Sequence, residues 1–163
     1  MKKWITYFSK EERILWMSSV GLIIVSFAIF DRESYLTLAA SLIGVTSLIF
    51  NAKGNPFGQL LMVVFSLLYG IISYTFSYYG EMIIYLGMTM PMAVFALISW
   101  LRNPYFAVAY ATNDLVLIVL WVLASLEDVR YISVVVCFVA FLVNDIYGFI
   151  NWRKMEIRQK NKI

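Results

Sequence analysis

Long apolar runs separated by short polar links fill almost the whole chain. Runs over residues 14–30, 35–50, 57–79, 82–101, 105–126 and 131–152 each approach the roughly 20 residues that cross a hydrocarbon core. The second is the shortest and extends toward Asn51 and Ala52. The links are DRES, NAKGNP, GE, RNP and EDVR. Links this tight predict that each helix packs antiparallel to the one before it. Pro91, in MTMPMAV, falls inside the fourth run. It removes a backbone donor and predicts a kink there.

Composition turns these runs into membrane spans rather than buried core helices. The chain is 62% hydrophobic and 14% charged, with mean hydropathy +0.79. A soluble domain is nearer about 45–50% apolar and about 25% charged. The expected fold class is therefore all-α, a polytopic bundle of six transmembrane helices forming one domain over residues 1–163. Residues 1–13 precede the first helix, 14–102 hold four helices, 105–152 hold two, and 153–163 form a basic tail. The opening MKKWITYFSKEER has the charge of a leader peptide, but no small-residue cleavage site follows. The first run is thus expected to stay as a span.

Charge sets the orientation. Lys2, Lys3, Lys10, Arg13, Lys53, Arg102, Arg153, Lys154, Arg158, Lys160 and Lys162 fall at one end of the bundle, and Arg32 and Arg130 at the other. An imbalance of 11 to 2 places both termini in the cytoplasm of a cell with this protein in its inner membrane. The surplus of base is thereby a topology signal, with the tail also suited to anionic lipid, and nucleic acid is not an expected partner. Trp4, Trp16, Trp100 and Trp152, with Tyr74, Tyr78 and Tyr79, are placed at span ends where aromatic belts form. The absence of His excludes imidazole metal sites and His-based acid–base chemistry. Cys137 has no partner for a disulfide and reads as a small core residue. No phosphate-binding loop, zinc spacing or nucleophile–base set is present, so neither enzyme activity nor a cofactor or metal is expected.

Two costly features remain. Asn113-Asp114 and Asn144-Asp145 lie in the middle of the last two apolar runs, where ionisable residues mark functional sites by default. Asn113 lies 11 residues after Arg102 and Asn144 lies 9 before Arg153. At about 1.5 Å per residue both are about 14–17 Å from the charged end, level with each other near the midplane. Transporters keep substrate sites at this depth. Helical spacing puts Tyr110, Asn113, Asp114, Leu117 and Trp121 on one stripe, and Phe141, Asn144, Tyr147, Gly148 and Asn151 on another. On the third helix Phe65, Ser66 and Tyr69 share a face, with Gln59 nearer the charged end. Amides, rings and a carboxylate together suit a flat, polar, cationic ring. The bland alternative is hydrogen-bonded glue between helices. Glu81, in the first turn of its helix, is explained by the helix dipole alone.

Two stretches resemble the PnuC family of vitamin-precursor transporters, the nicotinamide riboside carriers. In the first, GVTSLIFNAKGNPFGQLLMVVFSLLYGIISYTFSYYGE, the family-like elements are Ala52-Lys53-Gly54, Gly58, Tyr69 and Tyr79-Gly80-Glu81. In the second, NDLVLIVLWVLASLEDVRYISVVVCFVAFLVNDIYGFINWRK, they are Asn113, Asn144, Tyr147-Gly148 and Trp152-Arg153. The resemblance implies a fold related to the SWEET sugar transporters: two three-helix bundles joined by a linker helix, assembled as homo-oligomers that are often trimers. It implies a substrate held between the bundles, facilitated diffusion, and trapping by a cytoplasmic kinase, with relatives that carry thiamine or riboflavin. Asn113 matches the family's site Asn, which usually follows a pair of Trp; here Phe106 and Tyr110 stand where those indoles are expected. The family pattern also has about two more helices before the Asn113 helix, whereas here SWLR runs into NPYFAVAY. A shortened variant, an internal deletion or a wall supplied by another subunit would each explain this.

The expected function is facilitated uptake of nicotinamide riboside or a similar vitamin-derived nucleoside. Tyr110 and Phe106 would stack the ring, and Asn113 and Asn144 would hydrogen-bond amide or hydroxyl groups. Asp114 would offset the pyridinium charge, while Tyr69 and Tyr147 close the walls. Two alternatives are a non-transporting membrane scaffold and a proton-coupled small-cation carrier using Asp114 or Asp145.

Overall fold

The computed structural model describes residues 7–99 and 105–160. Trp4, Trp100, Arg102 and the junction expected to lack a helix pair lie outside them, as do Lys2, Lys3 and Lys162. Among the described residues six helices are long and apolar enough to cross a membrane. They are α1 (Lys10–Phe30), α2 (Tyr35–Ala52), α3 (Pro56–Thr75), α4, α5 (Tyr105–Ser125) and α6 (Ile132–Lys160). The fourth, α4, is built from Tyr79–Ile84, a π turn over Tyr85–Thr89, and Met90–Ser99. No strand occurs among the described residues.

Most of the expected neighbours are found: α1 packs on α2, α2 on α3, α3 on α4 and α5 on α6, whereas α4 and α5 meet mainly through side-chain hydrogen bonds. Contacts between α2 and α6, and between α1 and α6, close the bundle. Local chemistry sets the ends. Ser9 and Glu12 form a capping box that starts α1 four residues before the apolar run. The same Glu12 carboxylate, only 3% exposed, meets the Lys53 ammonium at 2.9 Å, which ties the start of α1 to the α2–α3 link. In that link Gly54 takes a positive φ of 66°, which glycine adopts without a Cβ penalty. Asn55 then caps α3 and Pro56 occupies its first turn.

The last turn of α2 leaves carbonyls without helical partners. Helix α6 supplies them: Trp152 Nε1 donates to the Asn51 carbonyl at 2.7 Å and Asn151 Nδ2 to the Ala52 carbonyl at 2.8 Å. Trp152 is therefore a buried cap for α2 rather than a belt residue. Trp16 is partly exposed and donates to Thr46. Tyr78 also turns inward, with its ring edge-on to Trp121 and Tyr131. Tyr74 and Tyr79 remain exposed as a belt would be. At the α5–α6 link, hydrogen bonds from the Arg130 side chain and backbone hold the Asp128 carboxyl below the usual carboxylate range.

Pro91 acts one turn upstream of itself. A proline ring crowds the carbonyl four residues before it, and α4 widens there, with Met90 N–H reaching the Tyr85 carbonyl. Such π turns recur at functional sites. This one leaves both Tyr85 and Thr89 buried. Beside it the core is a cluster of rings: Phe65 from α3 lies 4.9 Å from Tyr69 and 5.3 Å from Phe141 of α6, and Tyr69 lies 5.2 Å from Tyr85.

Candidate functional site

The two Asn-Asp pairs do lie at one depth, because the carboxyl groups of Asp114 on α5 and Asp145 on α6 are within hydrogen-bonding reach of each other. Each residue is 5% exposed. One turn toward the terminus-bearing end, the Tyr110 hydroxyl donates to Gln59 Oε1 on α3 at 3.0 Å. One residue away from Asp114, Asn113 points instead to α4, where its Nδ2 donates to Thr89 Oγ1 at 3.1 Å. The Thr89 hydroxyl in turn donates to the Ile84 carbonyl, five residues back across the π turn. Deeper still, Trp121 Nε1 donates to the Tyr85 hydroxyl. So α5 offers α3, α4 and α6 a continuous polar ladder of Tyr110, Asn113, Asp114 and Trp121.

The other expected residues are placed differently. Asn144 turns toward α1, its Nδ2 donating to Ser19 Oγ at 2.9 Å and to its own helix at the Ala140 carbonyl. Tyr147 stands beside Ser9 and Glu12 at the start of α1. The Tyr69 hydroxyl bonds Ser41 Oγ of α2 at 2.6 Å within the ring cluster. Phe106 is half-buried one turn before Tyr110. The structure thus brings Phe106 and Tyr110 to the same place as Asp145, which meets Asp114, while Asn113 is turned to α4 and Asn144, Tyr147 and Tyr69 face neighbouring helices.

Three further residues stand with them. Asp145 follows the spacing Phe138, Phe141, Asp145, Gly148, Trp152, all buried, a stripe one residue displaced from that of Asn144. Gln59 is a lone amide in an apolar run. Thr89 gives no sequence signal beyond its position two residues before Pro91.

Four buried side-chain oxygens of the Asn-Asp pairs have no hydrogen-bond partner beyond the Asp114–Asp145 contact itself: Asn113 Oδ1, Asp114 Oδ2, Asn144 Oδ1 and Asp145 Oδ2. Buried polar groups are nearly always paired, so each orphan needs an explanation. The two Asn oxygens are acceptors, and both Asn amide nitrogens are used within the protein; Asn51 of α2 likewise leaves its Oδ1 and Nδ2 unpaired. What suits such a set is a donor-rich or cationic ligand. A cavity of about 20 Å³ opens on Asp145, lined also by Asn51, Gln59, Phe106, Tyr110 and Trp152. That is room for about one water, so a ring-sized ligand requires Tyr110 to leave Gln59. The hydroxyl and the ring can be tested apart. Tyr110→Phe should cost about 1 kcal/mol of stability in denaturant unfolding, yet change ligand affinity less than about tenfold because the stacking face remains.

Comparison with known proteins gives the family and the fold. The family model described as nicotinamide mononucleotide transporter matches residues 34–126. The nicotinamide riboside transporter PnuC of Neisseria mucosa is 29% identical over 75 residues, which are 46% of this chain and 28% of that protein's length. The chain therefore matches under a third of that relative. A crystal structure of the vitamin B3 transporter PnuC superposes with a TM-score of 0.77 over 93% of this chain and 94% of the other, at 19% identity. At that identity the likeness shows the fold alone.

Proposed function

The chain belongs to the nicotinamide mononucleotide transporter family, and from that premise we propose that it carries nicotinamide riboside, or a similar vitamin-derived nucleoside, across the membrane. The observation that carries this reading is the convergence of Asn113, Asp114 and Asp145 at one depth, one turn from Tyr110, with acceptor oxygens left unpaired. Tyr110 and Phe106 stack the pyridine ring once Tyr110 releases Gln59. Asn113 Oδ1 accepts from the carboxamide or a ribose hydroxyl. Asp114 offsets the ring's positive charge. Asn144, Tyr147 and Tyr69 keep α1, α2 and α6 in place around the path. The 11-to-2 charge imbalance supports termini in the cytoplasm.

Access alternates by parting of α3 and α5 at the Tyr110–Gln59 bond on the terminus-bearing side, and by movement of the π turn of α4 on the other. Non-helical or irregular backbone at membrane depth is tolerated where it lines such a path. Facilitated diffusion needs nothing more from the protein than these two openings. The test is binding by the purified protein in lipid nanodiscs, comparing nicotinamide riboside, thiamine and riboflavin. Nicotinamide riboside is expected to bind most tightly. Tightest binding of riboflavin, an uncharged and larger ring system, would reassign the substrate.

A further inference from the structure

Asn51, in the last turn of α2, has a side chain that helix packing leaves unexplained. Its backbone carbonyl is well used, accepting from Trp152 Nε1 and from the Gly54 N–H, each at 2.7 Å. Its amide is not used at all. Oδ1 and Nδ2 are both buried, and neither has a hydrogen-bond partner. Among the described asparagines it stands apart in this. Asn55 bonds Tyr7 and the Phe57 N–H, Asn113 bonds Thr89, Asn144 bonds Ser19, and Asn151 bonds the Ala52 carbonyl.

Amides in membrane helices commonly serve as glue between helices. Here α6 reaches the Asn51 main chain through Trp152 and passes its amide by. Two buried groups left unpaired cost stability, and an apolar side chain of the same size would not carry that cost. Local rules are broken in this way chiefly at functional sites. The neighbouring helix makes room for the amide: at Gly58 of α3 a Cβ would press on Asn51 Oδ1. Asn51 also lines the cavity shared with Gln59, Phe106, Tyr110 and Asp145. The other amide on that wall, Gln59, is engaged by the Tyr110 hydroxyl. Asn51 therefore offers a ligand both a donor and an acceptor without breaking any bond within the protein.

We propose that Asn51 is a specificity-determining residue that reads a carboxamide on the substrate ring. The inference rests on the transport reading above and deepens it. A primary amide presents an acceptor oxygen and a donor N–H side by side on one planar edge. A ligand carboxamide presents the complementary pair, so the two close a ring of two hydrogen bonds, Nδ2 donating to the ligand oxygen and Oδ1 accepting from the ligand nitrogen. A carboxylate in its place has acceptors only and sets an oxygen against Oδ1. A ring without either group leaves Asn51 unpaired. With the carboxamide at Asn51, the ring lies against Phe106 and Tyr110 in the same cavity, and the ribose is left to Asn113, one turn further from the terminus-bearing end. The substrate is thus held with its ring end toward the side that carries the termini.

The test pairs a truncation of the residue with a truncation of the ligand, by calorimetry on the full chain in nanodiscs. The ligands are nicotinamide riboside and pyridine riboside, the same ring cation without its carboxamide. Wild-type protein should bind nicotinamide riboside about tenfold more tightly, the worth of two modest hydrogen bonds. Asn51→Ala should lose about tenfold for nicotinamide riboside and leave pyridine riboside unchanged. Its thermal midpoint should stay the same or rise, because no hydrogen bond within the protein is lost. Equal wild-type affinity for the two ligands, or no change or an equal change for both in Asn51→Ala, overturns the assignment and leaves the transport reading standing. A variant that fails to assemble overturns it too, since the amide would then be structural. If wild-type protein binds neither ligand, the transport reading falls as well.

Discussion

Replacing Asn113 by alanine is expected to lower the affinity for nicotinamide riboside about a hundredfold while the protein still inserts and folds. The amide has two parts with separate tasks. Its Nδ2 bonds Thr89 on α4, and its Oδ1 is buried without a partner. A ligand that supplies a donor to Oδ1, and settles against a ladder that Nδ2 holds in place, loses both on truncation. Two hydrogen bonds of about 1–1.5 kcal/mol each amount to about a hundredfold in affinity. The fold should survive, because the Thr89 hydroxyl keeps its bond to the Ile84 carbonyl. Thr89→Val is the control. It breaks the same interhelical bond but leaves the amide, and should cost less than about tenfold in binding. Equal losses in the two variants would assign Asn113 to helix packing alone.

The largest expected loss of stability comes from Gly58→Ala. A Cβ at this position would lie 2.6 Å from the Asn51 backbone nitrogen and 2.7 Å from the Ser47 carbonyl oxygen, and would also press on Asn51 Oδ1. Backbone atoms of α2 cannot step aside without spreading the α2–α3 pair. Overpacking of this kind costs about 1–3 kcal/mol, and backbone contact puts this case at the upper end. Gly44 makes a useful comparison. Its Cβ would meet the rings of Phe141 and Phe65, and a ring edge can shift further than a main chain. Thermal unfolding in detergent should rank Gly58→Ala below Gly44→Ala. The substitution should also move Asn51, which lines the cavity at Asp145, so binding is expected to weaken with stability.

Much of this arrangement is legible from the apolar runs, and the limits have a physical cause. Six spans, their antiparallel order and the level Asn-Asp pairs follow from length and charge, and the contact between Asp114 and Asp145 agrees with the matched depth. Which face of a helix turns inward is harder to read, because lipid-facing and core-facing positions are both apolar and the usual amphipathic stripe is absent. That is why Asn144 and Tyr147, rather than Asp145, stand on the stripe that sequence spacing selects, and why Trp152 reads as a belt residue although it caps α2. In the sequence the π turn is visible only as a proline. Its consequence, Thr89 presented to Asn113, depends on how Pro91 widens the turn before it. Asp31, Arg32 and Glu33, at the opposite end from the termini, were legible as a link from composition alone.

The ring cluster of Phe65, Tyr69, Tyr85, Phe138 and Phe141 also bears on how the protein moves. These side chains fill the centre between α3, α4 and α6. Close-packed cores rearrange between discrete states rather than deforming smoothly. The polar ladder on α5 adjoins this core, so motion is expected at its hydrogen bonds, Tyr110 to Gln59 and Asn113 to Thr89, while the rings move as one body.

The central claim is that this chain moves a vitamin-derived nucleoside, and flux tests it most directly. Purified protein reconstituted in liposomes, given labelled nicotinamide riboside outside, should equilibrate the label across the membrane without ATP. Asn113→Ala, reconstituted to the same density, should reduce the initial rate at low substrate about a hundredfold. Wild-type protein that is folded and inserted, yet neither binds nor passes the label, would contradict the account and leave a non-transporting membrane scaffold in its place.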